Sequence, residues 1–169
     1  MGTANTVDAI EIIPSGKALG AEVRGVDLAS DLPDDVKEVL QKAWADHLVL
    51  LFRGQTLTDQ QLVDFSRLFG ELDPPAPNPY GEALHKVHPE INVISNVRKG
   101  GKPIGNLGAG EAVWHADMTY LDTPPKAAVL YSLEIPEAGG ATYFANMFAA
   151  YEALDDDLKR EIDGKVAIH

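Results

Sequence analysis

Ala112-Val113-Trp114-His115-Ala116-Asp117-Met118-Thr119-Tyr120 is the stretch from which the rest of the chain can be read. It is rich in strand-forming residues and predicts an extended strand. Residues i and i+2 of a strand share a face. The His115 imidazole and the Asp117 carboxylate would then project side by side. Such a pair supplies two of the three protein ligands of a two-histidine, one-carboxylate iron site. The spacing alone does not decide this, because a His-x-Asp pair is common and a lone histidine is more often structural or on the surface.

Before this stretch, Lys99 to Gly110 holds five glycines in a dozen residues. Glycine opens backbone conformations closed to other residues, so a hairpin loop or an active-site lid is expected. No Gly-Lys-Ser or Gly-Lys-Thr closes it and no helical pattern follows, so it is not a phosphate loop. After the stretch, Pro124-Pro125 predict a turn and the alternation from Lys126 to Ile135 predicts a strand. Pro136 and Gly139-Gly140 end that strand, and Ala141-Thr142-Tyr143-Phe144 reads as another. Met147, Ala150, Tyr151 and Leu154 lie at helical spacing. Asp155-Asp156-Asp157 open a further helix with Leu158 and Ile162 inward and Gly164 closing it. Residues 165–169 read as one more strand.

Further upstream, residues 9–13 and 21–26 predict two strands, the second weakened by Gly25. Pro33 opens a helix whose Val36, Leu40, Ala43, Trp44 and His47 form one stripe. Leu48 to Phe52 is a continuous apolar run, expected as a buried strand. Thr58 and Gln61 form a capping box for a helix burying Leu62, Phe65, Leu68 and Phe69 and stopping at Gly70. Asp73 to Gly81 is a proline-rich loop. Residues 91–95 predict a strand. No internal repeat or second domain is visible, and residues 1–169 read as a single domain.

The formal net charge of −12 disfavours nucleic acid and anionic membranes as partners. No apolar run reaches the roughly 20 residues of a membrane span, and the first residues lack a signal-peptide pattern, so a cytoplasmic location is expected. The chain has no cysteine, so any metal must be held by nitrogen and oxygen ligands. His47, at a helix-to-strand junction, reads as structural. His85 and His88 flank a loop and are lesser candidates for substrate binding. His169 takes no role. The Asp155–Asp157 run reads as a solvated helix start, and Glu134 and Glu137 as surface residues. No Gly-x-Ser-x-Gly elbow is present to support a hydrolase.

Several motifs, in order, resemble one family. They are Leu51-Phe52-Arg53-Gly54-Gln55, Leu57-Thr58, Phe65 through Phe69-Gly70-Glu71-Leu72, Trp114 to Tyr120, Thr123-Pro124-Pro125-Lys126-Ala127, Pro136 to Thr142, and Ala149-Ala150-Tyr151-Glu152-Ala153-Leu154. Together they resemble the taurine/2,4-D (TauD/TfdA-type) dioxygenases, which depend on Fe(II) and 2-oxoglutarate. The likeness runs from about residue 20 to residue 169.

This resemblance implies an α+β, mainly β fold, a double-stranded β-helix (jelly roll) with flanking helices, incomplete in this chain. It implies that His115 and Asp117 are metal ligands and that the Thr142 hydroxyl helps bind the distal carboxylate of 2-oxoglutarate. Trp114 would pack behind the ligand strand. Tyr80 and Asn106 lie where the family's substrate-covering segments fall and are candidate substrate contacts. The reaction implied consumes O2, oxidises a small carboxylate-type substrate, usually by hydroxylation, and releases succinate and CO2. The family also uses a second histidine ligand and an arginine for 2-oxoglutarate, both roughly a hundred residues beyond the threonine, so the domain is expected to be truncated on its C-terminal side. The taurine enzymes have an asparagine where Glu111 falls and a histidine in the region of Pro77, so a sulfonate substrate is not expected. The alternatives are a catalytically incomplete fragment or pseudo-enzyme serving as an interaction module, and a cupin-like metal protein without 2-oxoglutarate. A homo-oligomer is compatible with the sequence.

Overall fold

Residues 5–73, 85, 87–103, 105 and 113–166 are described by the structure, a computed structural model. They fall into two compact units, one drawn from Met1–Thr56 and Tyr131–His169, the other from Leu57–Leu130.

In the first unit, strand β1 (Glu11–Pro14) pairs antiparallel with β2 (Ala21–Arg24), from Glu11↔Arg24 to Pro14↔Ala21. β1 is an edge strand, which is where a proline is tolerated. Ser15 organises the turn between them. Its N–H donates to Gly20 O at 2.8 Å, and its hydroxyl donates to Leu19 O at 2.6 Å while accepting from Lys17 N at 3.1 Å. Strand β3 (Leu50–Phe52) runs parallel to β2 on its other side. Parallel neighbours need a long crossover, and helix α1 (Asp34–His47) provides it.

α1 begins after Pro33, with Asp34 and Asp35 in its first turn, where carboxylates complement the helix dipole. Val36, Leu40 and Ala43 recur at intervals of four and three and are buried with Ala21, Val23, Val26, Leu28 and Leu32. The helix ends at Leu48, left-handed at φ 66, whose N–H donates to Trp44 O at 2.7 Å. Gly20 N then donates to His47 O at 2.8 Å, tying the β1–β2 turn to the helix end. Residues 26–31 are clamped by two amide side chains. Asn5, itself buried, donates to Asp27 O and Asp31 O and accepts from Asp27 N. Gln55 donates to Val26 O and accepts from Leu28 N.

In the second unit, α2 (Asp59–Ser66) carries the complete capping box expected from Thr58 and Gln61. It buries Val63 and Phe65, and Phe69 meets the Phe65 ring edge-on at 5.6 Å. A single 3-10 turn, Arg67–Phe69, leads to Gly70. Strands β4 (Arg98–Lys99) and β5 (Lys102–Pro103) form a hairpin with Gly100 at φ 57 and Gly101 at φ 80. Two consecutive positive φ angles make the tight turn that glycine allows. The glycine-rich run is therefore a hairpin at its start. Gly105 is buried, and a Cβ there would lie 2.6 Å from Ser95 N.

Several predicted strands are not formed. Residues 91–95, 113–120, 126–135, 141–144 and 165–166 join no ladder among the described residues. Their composition suits strands, but a strand needs a hydrogen-bonded neighbour, and no described backbone provides one. Their apolar side chains accordingly stay exposed, among them Leu133, Ile135, Tyr143 and Val166. Residues 167–169 lie outside the described residues. Helices α3 (Met147–Glu152) and α4 (Asp156–Ile162) form as expected. Leu158 and Ile162 are exposed rather than in a core, since none of the described residues covers that side of α4. The architecture is mixed α and β with two small sheets, and the described residues are not mainly strand.

Candidate metal centre

His115 and Asp117 belong to the second unit, and their side chains are close together. The His115 Nε2 to Asp117 Oδ1 distance is 3.3 Å. The pair lies on backbone that joins no ladder among the described residues, and a turn follows it at once: residues 117–120 bend back, Met118 sits at φ 50, and Leu121 N donates to Met118 O at 3.1 Å. The two side chains are thus brought together without the strand pairing that was expected to do it.

The His115 Nδ1 lies 2.7 Å from Val113 O. A carbonyl only accepts, so Nδ1 carries a proton, and in the neutral ring Nε2 then presents its lone pair toward Asp117. This backbone hydrogen bond orients the ring as it would for a metal-bound histidine. Nε2 and Oδ1 are then two electron-pair donors facing one another, an arrangement that calls for a proton or a metal cation between them. Donors about 2.1 Å from one first-row divalent ion and at right angles sit about 3 Å apart, close to the observed spacing. The donor set, one imidazole and one carboxylate, also fits such an ion in a chain without thiols. Both side chains are about 70% exposed (71% and 70%). No group of three or more metal-ligating side chains occurs among the described residues. Trp114, expected behind a ligand strand, is 69% exposed, because no strand or covering layer forms there among the described residues.

Thr142 lies in the first unit and is exposed. It follows a turn with Gly139 at φ 76 and Gly140 at φ 67, conformations that favour glycine. A Cβ on Gly140 would meet Pro136 Cγ at 3.0 Å, so the turn lies closely against the Pro136 ring. Tyr80 and Asn106 lie outside the described residues.

His47 closes α1, and its main-chain carbonyl accepts from Gly20 N and Val49 N. His85 and His88 form a cluster that their sequence positions do not reveal. His85 Nε2 is 3.0 Å from Asp59 Oδ2 on the first turn of α2, and His88 N donates to His85 Nδ1 at 2.9 Å. The two hydrogen bonds fix the ring with its proton on Nε2, so it serves as a clasp on α2. The one signal for it in the sequence is the carboxylate at Asp59, 26 residues away.

The sequence profile of the "Taurine catabolism dioxygenase TauD, TfdA family" matches residues 11–169. The α-ketoglutarate-dependent sulfate ester dioxygenase of Pseudomonas putida is 35% identical over 170 residues, covering 100% of this chain and 52% of that protein. The (S)-phenoxypropionate/α-ketoglutarate-dioxygenase of Sphingobium herbicidovorans is 37% identical over 169 residues, covering 95% of this chain and 53% of that protein. The crystal structure of AAD-2 in complex with Mn(II) and N-oxalylglycine superposes with a TM-score of 0.67 at 29% identity, covering 90% of this chain and 54% of that one. The chain thus spans about half the length of these relatives.

Proposed function

The chain belongs to the TauD/TfdA dioxygenase family, and from that premise we propose that it is the N-terminal portion of a single jelly-roll domain that oxidises a small organic acid with Fe(II), 2-oxoglutarate and O2. His115 and Asp117 hold the metal, with the third protein ligand outside the described residues. The Val113 carbonyl keeps the imidazole in the tautomer that can bind it. The Thr142 hydroxyl donates to the distal carboxylate of 2-oxoglutarate. When bound, the iron supplies the oxidising chemistry that hydroxylates the substrate and yields succinate and CO2. Tyr80 and Asn106 contact the substrate, a small carboxylate on this reading; relatives named for phenoxypropionate and 2,4-dichlorophenoxyacetate support that class, while another is named for sulfate esters. No described helix is long and apolar enough to cross a membrane, in keeping with an enzyme of the cytoplasm.

The observation that carries this reading is the 3.3 Å approach of His115 Nε2 to Asp117 Oδ1 with Nδ1 engaged by Val113 O. Support for the metal and keto-acid roles comes from the AAD-2 complex, which holds Mn(II) and N-oxalylglycine. In the full-length protein, His115→Ala abolishes succinate formation, and Asp117→Ala weakens Fe(II) binding in anaerobic calorimetry. Coupled turnover at the wild-type rate in His115→Ala, or unchanged Fe(II) affinity in Asp117→Ala, would overturn the assignment.

A further inference from the structure

We propose that Asn146 is a positioning residue for 2-oxoglutarate, holding the segment that carries Thr142 onto the β1–β2 turn; this rests on the role assigned to Thr142 above. The Asn146 side chain acts in two directions. Its Oδ1 accepts from Ala149 N at 2.9 Å and so caps α3. Its Nδ2 donates to Ala18 O at 2.7 Å, a residue 128 positions earlier. Capping needs only the first of these bonds, and serine or aspartate would serve for it equally well. The second joins two distant parts of the same unit.

The receiving carbonyl sits on a rigid platform. The turn bearing Ala18 is braced from within by Ser15 and from outside by the bond from Gly20 N to His47 O. The segment that Asn146 holds has no such support of its own. Residues 139–145 join no ladder among the described residues. Asn146, bonded to Ala18, ties the end of this segment to the β1–β2 turn, and Thr142 lies four residues before it. Releasing that end frees the Thr142 hydroxyl to sample positions away from the keto-acid carboxylate, and small displacements of a binding group are costly.

The test separates the cap from the pin in the full-length enzyme. Asn146→Asp and Asn146→Ser keep an oxygen for Ala149 N. Asn146→Asp turns an acceptor toward Ala18 O, and Asn146→Ser is too short to reach it. Both variants are expected to keep wild-type helical circular dichroism. Both are expected to bind 2-oxoglutarate about tenfold more weakly in anaerobic calorimetry on Mn(II)-loaded protein, with KM for 2-oxoglutarate rising much more than kcat falls. Thr142→Val, measured alongside, weakens 2-oxoglutarate binding as well. If Thr142→Val does so while both Asn146 variants bind like wild type, Asn146 is only a helix cap and the inference is overturned. If Thr142→Val itself leaves 2-oxoglutarate affinity unchanged, the role of Thr142 fails, and the inference fails with it.

Discussion

Replacing Gly25 by alanine should damage the first unit far more than the same change at Gly54, although both glycines are left-handed. Gly25 has φ 76 and Gly54 φ 67, so each substitution costs about 1–2 kcal/mol of backbone strain. Their surroundings differ. A Cβ on Gly54 meets nothing within 4 Å, whereas one on Gly25 would lie 1.7 Å from Ala9 O and 2.7 Å from its carbonyl carbon. A carbon and a carbonyl oxygen rest about 3.3 Å apart, so Ala9 must retreat by about 1.6 Å. Ala9 ends the 3-10 turn that feeds β1, and Gly25 directly follows Arg24, the partner of Glu11 at that end of the ladder. The retreat therefore opens the β1–β2 pairing from Glu11 inward. Overpacking of this kind costs about 1–3 kcal/mol, making about 2–5 kcal/mol for Gly25→Ala and about 1–2 for Gly54→Ala. Urea unfolding followed by far-ultraviolet circular dichroism measures both. Equal losses, within about 0.5 kcal/mol, would refute the steric account and leave only the shared φ strain.

Asn5→Ala should cost about 1–3 kcal/mol in the same assay, because it strands the Asp27 N–H and two carbonyls around a buried side chain; a loss below about 0.5 kcal/mol would show that water replaces the amide. Thr58→Ala removes the acceptor for Gln61 N and should lower stability by about 1 kcal/mol, with faster amide exchange confined to the first turn of α2. Acid should weaken the first unit. The bond from Arg24 holds Glu22 below the usual carboxylate range, as the Ser30 hydroxyl and Ala29 N–H do for Asp27 and Lys37 does for Asp34. Their contribution is complete above the ordinary values of 4.5 and 3.8 and fades as pH falls through the lower folded values. The urea midpoint should therefore drop between pH 6 and pH 3, and a constant midpoint would argue that these groups titrate alike in folded and unfolded chains.

The elements legible in the sequence are those whose partners lie nearby in the chain. α1 follows from Pro33, two aspartates and a stripe at Val36, Leu40 and Ala43, and β1, β2 and β3 lie within 42 residues of one another. The α2 capping box is a contact over three residues. Residues 126–135 and 141–144 have equally good strand patterns, yet they form no ladder. Alternation reports which face a strand would bury, and it carries no information on whether a neighbour is present to pair with it. The same distinction explains Leu158 and Ile162, which are spaced for burial on a helix face that no described residue covers.

The candidate site divides along the same line. The approach of His115 to Asp117 and the Val113 clasp on the ring are contacts over two residues, and they form even though the expected strand does not. Burial of the pair, a third ligand and a wall behind Trp114 are properties of chain distant in sequence, and the exposure of all three side chains shows that these are absent from the described residues. If His115 and Asp117 hold the metal as proposed, two donors this exposed can bind a divalent ion only weakly, because water competes for the same coordination positions. Affinity and turnover should thus respond to different parts of the protein. On that proposal, local changes at Val113, His115 or Asp117 act on first contact with the metal, whereas changes that alter the covering of Trp114 act on how dry the site becomes. The proposed metal site needs both. The local half was readable from nine residues; the covering half depends on pairings that no short stretch of sequence encodes.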